Sequence, residues 1–125
     1  MQIATELSNE IARYLDLTTA EAKLTAANMA NVDTPGYRTQ DLDFSGELQR
    51  AMLADAQEPD GAAVSARMRP ASLEVNGLLE RPDGNNVDLD REGALLAEVQ
   101  LQHEIGVQLI KGRFHMLLAA INGGG

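Results

Sequence analysis

Apolar or small residues recur every three or four positions from the first turn of the chain: Ile3, Leu7, Ile11, Tyr14, Thr18, Ala22, Thr25, Met29 and Val32. These steps average close to the 3.6-residue period of an α-helix, so the positions form one stripe. Glu6, Glu10, Arg13 and Lys23 fall on the opposite side. The pattern keeps its phase through Thr18-Thr19-Ala20-Glu21, a sequence able to cap a second helix. Asp16 and the two Thr residues also weaken local helix propensity. One continuous helix is the favoured reading, with a kink near Leu17 as the alternative. The pattern stops at Thr34-Pro35-Gly36-Tyr37. Pro presets φ for the second position of a turn and Gly accepts the positive φ of the third, as a type II turn demands. Thr34, preceding Pro, is pushed out of the helical region. Asn31 and Asp33 can bond to backbone groups freed at the helix end.

The period weakens after the turn. Phe44, Leu48, Met52 and Ala56 share one face of a short helix predicted over 44–56. Further on, Ser72-Leu73-Glu74-Val75 alternates, Asn76-Gly77 follows, and then Leu78-Leu79-Glu80. An Asn-Gly between two short runs predicts a small β-hairpin. The remainder up to residue 86 reads as a flexible connection, with few apolar residues to offset the entropy of ordering.

A second long helix closes the chain. Asp83-Gly84 makes a turn, Asp88 is placed to cap, and Asp90 and Glu92 suit the positive end of the helix dipole. Its stripe is Leu96, Val99, His103, Gly106, Ile110, Phe114, Leu117 and Ile121, widened by Leu101, Ile105, Leu109 and Met116. Asn122 and three glycines end it. Each terminal helix should be roughly 40 to 50 Å long. The chain therefore divides into an N-terminal helix over 1–35, a turn, short helix and hairpin-bearing connection over 36–86, and a C-terminal helix over 87–125. The fold expected is mainly α: two long helices packed as an antiparallel, coiled-coil-like pair around a weakly ordered middle. The packing seam is expected at Leu7, Ile11, Met29, Leu96, Val99, Gly106, Ile110, Phe114, Leu117 and Ile121. Two helices cannot cover the widened C-terminal face, so the chain should be marginal alone and stable in an assembly.

Composition sharpens this picture by exclusion. The net charge is -9 in 125 residues, which disfavours nucleic acid and anionic lipid as partners. There is no cysteine for a disulfide, thiolate zinc site or thiol nucleophile. Aromatic residues are 3%, too few for a ring-filled core. No secretory signal is expected at the N-terminus, because Glu6, Glu10, Arg13 and Asp16 interrupt any apolar run. No run is long enough for a membrane span, so composition alone reads as a soluble intracellular protein.

Catalytic constellations are thin. His103 and His115 are twelve apart, not at metal-pair spacing, and His103 reads as an interface residue on the stripe. The acidic stretch 83–92 fails as a calcium loop, since Val87 takes a ligand position and Gly comes second. No glycine-rich phosphate loop follows a strand. The expectation is no catalytic residue, no metal, no cofactor and no small-molecule substrate. Gly93, Gly106 and Gly112 interrupt the C-terminal helix, each at about 1 kcal/mol relative to Ala. Close helix approach could offset that, most clearly at Gly106 on the stripe. For Gly93 and Gly112, tolerated glycine in a solvated helix is an equal alternative.

The stretch Ala27-Asn28-Met29-Ala30-Asn31-Val32-Asp33-Thr34-Pro35-Gly36-Tyr37 resembles the N-terminal signature of the bacterial flagellar axial proteins, the family of rod, hook and hook-associated subunits. Met29 stands where that signature usually has a branched aliphatic residue. The continuation Arg38 to Phe44, the segment Asp83 to Glu92 and the ending Leu109 to Asn122 resemble the short proximal-rod members. The resemblance covers both helices and their inner flanks, not residues 45 to 80. It implies a structural rod subunit needed for motility, stacking helically with its terminal helices in the tube of a drive shaft and export channel. It implies Asn28, Asn31, Thr34, Pro35, Gly36 and Tyr37 as an assembly motif. The implied partners are copies of itself, other rod proteins, the membrane-embedded MS ring and the export gate. The implied location is the periplasmic rod, reached by type III export without a cleaved signal. A different short axial subunit, or a helical adaptor or export chaperone without a rod role, are the rival classes.

Overall fold

The structure, a computed structural model, describes the backbone of residues 2–57 and 70–123, and side chains of residues 6–54 and 70–123. The elements follow in the order α1 (Gln2–Ala30), β1 (Gln40–Leu42), α2 (Phe44–Gln57), β2 (Ser72–Glu74) and α3 (Leu89–Gly123). The two long helices have 29 and 35 residues, about 43 and 52 Å. They lie antiparallel: Gly106 rests against Tyr14 and Leu15, His103 meets Thr18, and Glu92 meets Asn28. No helix is long and apolar enough to cross a membrane.

Helix α1 is continuous through Thr18-Thr19. Both hydroxyls accept the helical conformation by donating to the carbonyl of Leu15, at 2.7 and 3.1 Å, instead of capping a new helix. Thr18 is also bonded to His103 Nδ1 at 2.8 Å, so this threonine joins the two helices. The short helix α2 begins at an Asp43 cap: Gly46 N–H donates to Asp43 Oδ1 and Glu47 N–H to Asp43 O. It lies against α1 through an edge-to-face pair, Tyr14 and Phe44, with centroids 5.4 Å apart. At the start of α3, Asp88 Oδ1 accepts from the amides of Asp90 and Arg91.

The expected hairpin needs correction. Ser72–Glu74 does form a strand, but its partner is Gln40–Leu42, antiparallel with Asp41 opposite Leu73. Gly77 takes φ +86 and turns the chain away, and Leu79 is left 90% exposed. A three-residue strand carries too little alternation to name its partner; pairing went to the segment already anchored beside α1. The flexible connection also needs correction over 81–86. Asn85 and Asn86 are fully buried and hydrogen-bonded there, so side-chain bonds replace the missing apolar anchors. The part of that expectation falling on 58–69 lies outside the described residues, as does the side chain of Ile3.

Burial along the helix pair is uneven. Among the described residues, Leu17, Leu42, Val87 and Val99 are the buried apolar side chains, while eight polar ones are buried, from Thr18 to Glu92. The seam residues divide accordingly. Val99 and Gly106 are buried, and Ile11, Met29, Leu96 and Ile110 are half-buried. Leu7 and Leu117 are exposed at 40% and 39%, and Phe114 and Ile121 more so. The seam is therefore closed near the turn and opens toward the chain ends.

The three helix glycines now separate. A Cβ on Gly106 would stand 2.7 Å from Leu15 Cδ2 and 3.1 Å from Tyr14 Cδ1, whereas Gly93 and Gly112 have nothing within 4 Å. Gly106→Ala should cost about 1–3 kcal/mol by overpacking. Gly112→Ala should stabilise the isolated chain by up to about 1 kcal/mol through helix propensity. Urea unfolding followed by circular dichroism checks both; effects of the same sign and size would rule out the close approach at Gly106.

Candidate functional site: a polar lock at the turn end

The sequence Thr34-Pro35-Gly36-Tyr37 forms the expected turn. Tyr37 N–H donates to Thr34 O at 3.2 Å, and Gly36 has φ +75. A second turn abuts it. Arg81-Pro82-Asp83-Gly84 is closed by Gly84 N–H donating to Arg81 O, with Gly84 at φ +84. Gly36 N–H donates to Asp83 O at 2.8 Å. A Cβ on Gly84 would lie 3.4 Å from Gly36 Cα, so the two turns touch backbone to backbone.

This second turn satisfies carbonyls of the turn that follows α1, which have no partner in the helix. Here Asn85 Nδ2 donates to the carbonyls of Asn31 and Thr34, both at 2.9 Å, and Arg81 donates to the carbonyl of Val32. Asn31 turns back to donate to Ala27 O while its Oδ1 accepts from the Thr34 hydroxyl. The guanidinium at this end also suits the negative pole of the helix dipole.

Asn28 sits at the centre, 1% exposed. Its amide donates to Gln40 O at 2.7 Å and to Glu92 Oε2 at 3.1 Å. Its Oδ1 accepts from Gln40 N–H and from the Tyr37 hydroxyl, both at 3.0 Å. Two donors and two acceptors are the whole capacity of a carboxamide, and all four are used. Glu92 is wholly buried; its Oε1 accepts from Arg91 at 2.7 Å, and Arg91 also holds Asp41 at 2.9 Å. Asn86 adds a bridge: its Oδ1 accepts from Thr39 N–H and its amide donates to Val75 O. The Tyr37 hydroxyl is pushed above its usual pKa by burial, and then by Glu92, so it stays a donor.

Of the motif residues, the structure brings Asn28, Asn31, Thr34, Gly36 and Tyr37 into this one network; Pro35 shapes the turn from an exposed position. The seam residues Met29 and Leu96 flank it only half-buried, and Phe114, Leu117 and Ile121 lie far along α3. Sequence reasoning missed Asn85, Asn86, Glu92 and Thr39 as members. Asn85 and Asn86 read as turn residues and Glu92 as a dipole partner. The signal that could have found them is the polar run 83–92 set immediately before a long apolar stripe. Chemically the arrangement is a clasp: most of its donors and acceptors are spent on one another, with Thr39 Oγ1 and Arg81 Nε buried without partners, and it joins the end of α1, the start of α3 and the strand segments.

No family model matches the chain. Among curated proteins it is similar to the flagellar basal body rod protein FlgB of Salmonella typhimurium, at 34% identity over 122 residues covering 88% of each chain. It is similar to the Escherichia coli protein of that name at 29% over 122 residues, again 88% of each. The corresponding Cereibacter sphaeroides protein is 31% identical over 116 residues, covering 90% of this chain and 91% of the relative.

Two expectations follow from the clasp. Asn28→Ala strips partners from Gln40, Tyr37 and Glu92 together and should cost at least about 3 kcal/mol, while Gly36→Val should cost about 1–3 kcal/mol for a β-branched residue at positive φ. Denaturant unfolding measures both, and an Asn28→Ala chain of unchanged stability would remove Asn28 from the centre. The other concerns pH. The Glu21 carboxyl is held above its ordinary range by burial, then by Asp41 and Glu98. The folded chain thus binds this proton more tightly than the unfolded one. The resulting stabilisation is full below the unfolded value of 4.5 and is lost as pH rises through the raised folded value. Glu21→Gln should therefore raise stability at neutral pH and gain little at pH 4. Parallel unfolding curves at the two pH values check the sign.

Proposed function

The chain belongs to the family of flagellar basal body rod proteins, FlgB, and from that premise we propose that it is a structural subunit of the flagellar basal-body rod. It acts by assembly, not by turnover. The observation that carries this reading is the bare apolar surface on the second half of α3. Phe114 is 60% and Ile121 75% exposed, beside a seam that is closed at the other end by the clasp. Burying an apolar side chain of this size is worth about 1.5–3 kcal/mol. The chain itself leaves that gain unrealised, and stacking beside other subunits recovers it. Copies of itself and other rod proteins are the proposed partners along the shaft, with the MS ring and export gate at its base. Residues 1–35 and 87–125 form the rod-core helices, and 36–86 the clasp and outer connection. The working location is the rod in the periplasm, reached as an unfolded chain without cleavage of a signal.

Phe114→Asp tests this. A carboxylate on that face opposes packing between subunits, but it spares the clasp and leaves an unfolded chain to export. The expected result is a protein that leaves the cytoplasm yet is missing from basal bodies, with no rod, hook or filament beyond it. Immunoblots of cytoplasmic, periplasmic and basal-body fractions read the outcome. Wild-type amounts of the variant in basal bodies would sink the assembly role of this face. A wild-type chain found only as a defined soluble oligomer in the cytoplasm would sink the rod reading.

A further inference from the structure

Two apolar surfaces flank the helix pair. One is a groove of about 330 Å³ between α1, α2 and α3, walled by Ile11, Met52, Ile105 and Leu109, with Glu10 in its lining. The other is a ridge of Phe114, Leu118 and Ile121, exposed at 60%, 40% and 75%. Gly106 marks the line of α3 that faces α1. From that line, at 3.6 residues per turn, Ile105 and Leu109 fall roughly 60–100° to one side, and Phe114, Leu118 and Ile121 roughly 60–120° to the other. Groove and ridge thus lie on opposite flanks of the helix pair, and one molecule cannot seat its own ridge in its own groove.

Charge separates them in the same sense. From Ile105 to the last residue there is no Asp or Glu, and Lys111 stands exposed at the edge of the ridge. The groove carries Glu10, with Glu6 one turn away on the same side of α1. In a chain of net charge -9, two copies repel through most of their surfaces. The meeting of the acid-free ridge with the acidic groove is the arrangement that removes this repulsion and buries both apolar patches at once.

We propose, building on the rod reading, that the ridge of one copy docks in the groove of the next, with Phe114 and Ile121 over Met52 and Ile105. Two different patches make the contact heterologous, and a heterologous contact between identical chains propagates instead of closing into a pair. Copies related by a screw keep the same polarity. Seating residues 114–121 over residues 105–109 then offsets neighbours by about ten residues of helix, roughly 15 Å along the axis.

The chain has no cysteine, so engineered ones report alone. Met52→Cys and Ile121→Cys are introduced singly and together into the full chain, expressed in cells lacking the wild type. Basal bodies are then purified and oxidised with copper phenanthroline. The double variant should give a ladder of dimers, trimers and larger species, and each single variant none. Incorporation without a ladder, or dimers from either single variant, overturns the docking while leaving the rod role standing. A wild-type chain missing from basal bodies overturns the rod role and the docking with it. A charge variant decides the matter independently of the cysteines: Lys111→Glu puts an acid into the acid-free ridge and should lower incorporation about tenfold. Wild-type incorporation of this variant overturns the docking.

Discussion

The structure depends on one carboxamide having nowhere else to put its hydrogen bonds. A buried polar group left unsatisfied costs about 1–3 kcal/mol. Asn28 escapes that cost in the arrangement found, where Gln40 supplies both a donor and an acceptor, Tyr37 a donor and Glu92 an acceptor. Each partner comes from a different stretch: the strand after the turn, the turn itself, and the first turn of α3. Sliding α3 by one helical turn would bury Glu92 without Asn28 and Asn28 without Glu92. Apolar seams tolerate such slips, since Leu on Leu is much the same one turn along; a satisfied polar centre does not.

With the register set at that end, the rest of the helix pair is free to be sticky. Burial runs from Glu92 and Val99, fully enclosed, through Gly106, to Phe114 and Ile121 in solvent. The same gradient appears on α1, from buried Asn28 and Thr25 down to exposed Leu7. A polar clasp gives specificity with little net stability, because water re-forms those bonds when the chain unfolds. Apolar burial gives stability with little specificity. The chain places the first inside itself and keeps much of the second on its surface. That division suits a subunit whose identity must be right before assembly and whose stability can wait for it.

Much of the architecture was legible because helices advertise themselves. The stripes from Leu7 to Met29 and from Leu96 to Ile121 predicted two long antiparallel helices, and Thr34-Pro35-Gly36-Tyr37 predicted its turn with positive φ at Gly36, as found. Gly106 was legible because a glycine on an apolar stripe needs a neighbour to explain it, and Leu15 is that neighbour. The strand Ser72–Glu74 was visible but its partner was not. Three alternating residues fix a face, whereas pairing is decided by which backbone is already held nearby. The half of the clasp contributed by residues 85–92 was illegible for a related reason. Asn85, Asn86 and Glu92 carry the composition of a loop and a helix start, and nothing in their spacing says that another polar set sits across from them. Polar satisfaction is a property of pairs far apart in sequence, up to 64 positions for Asn28 and Glu92, and periodicity sees only neighbours.

The position of the clasp has a mechanical meaning as well. Torque and axial load on a helical stack pass along the helices and try to shear one past its neighbour. Within a subunit, shear between α1 and α3 is resisted by whatever cannot slip by one turn. Ridge-and-groove packing alone resists weakly, because a 5.4 Å step brings the next turn into an equivalent hole. The bonds from Asn28 to Glu92, from Asn85 to Asn31 and Thr34, and from Gly36 to Asp83 have no equivalent one step away. All lie at the same end of the pair, and the Thr18–His103 bond and the close approach at Gly106 add contacts toward its middle. The turn motif therefore acts by what it forbids, which is relative sliding of α1 and α3.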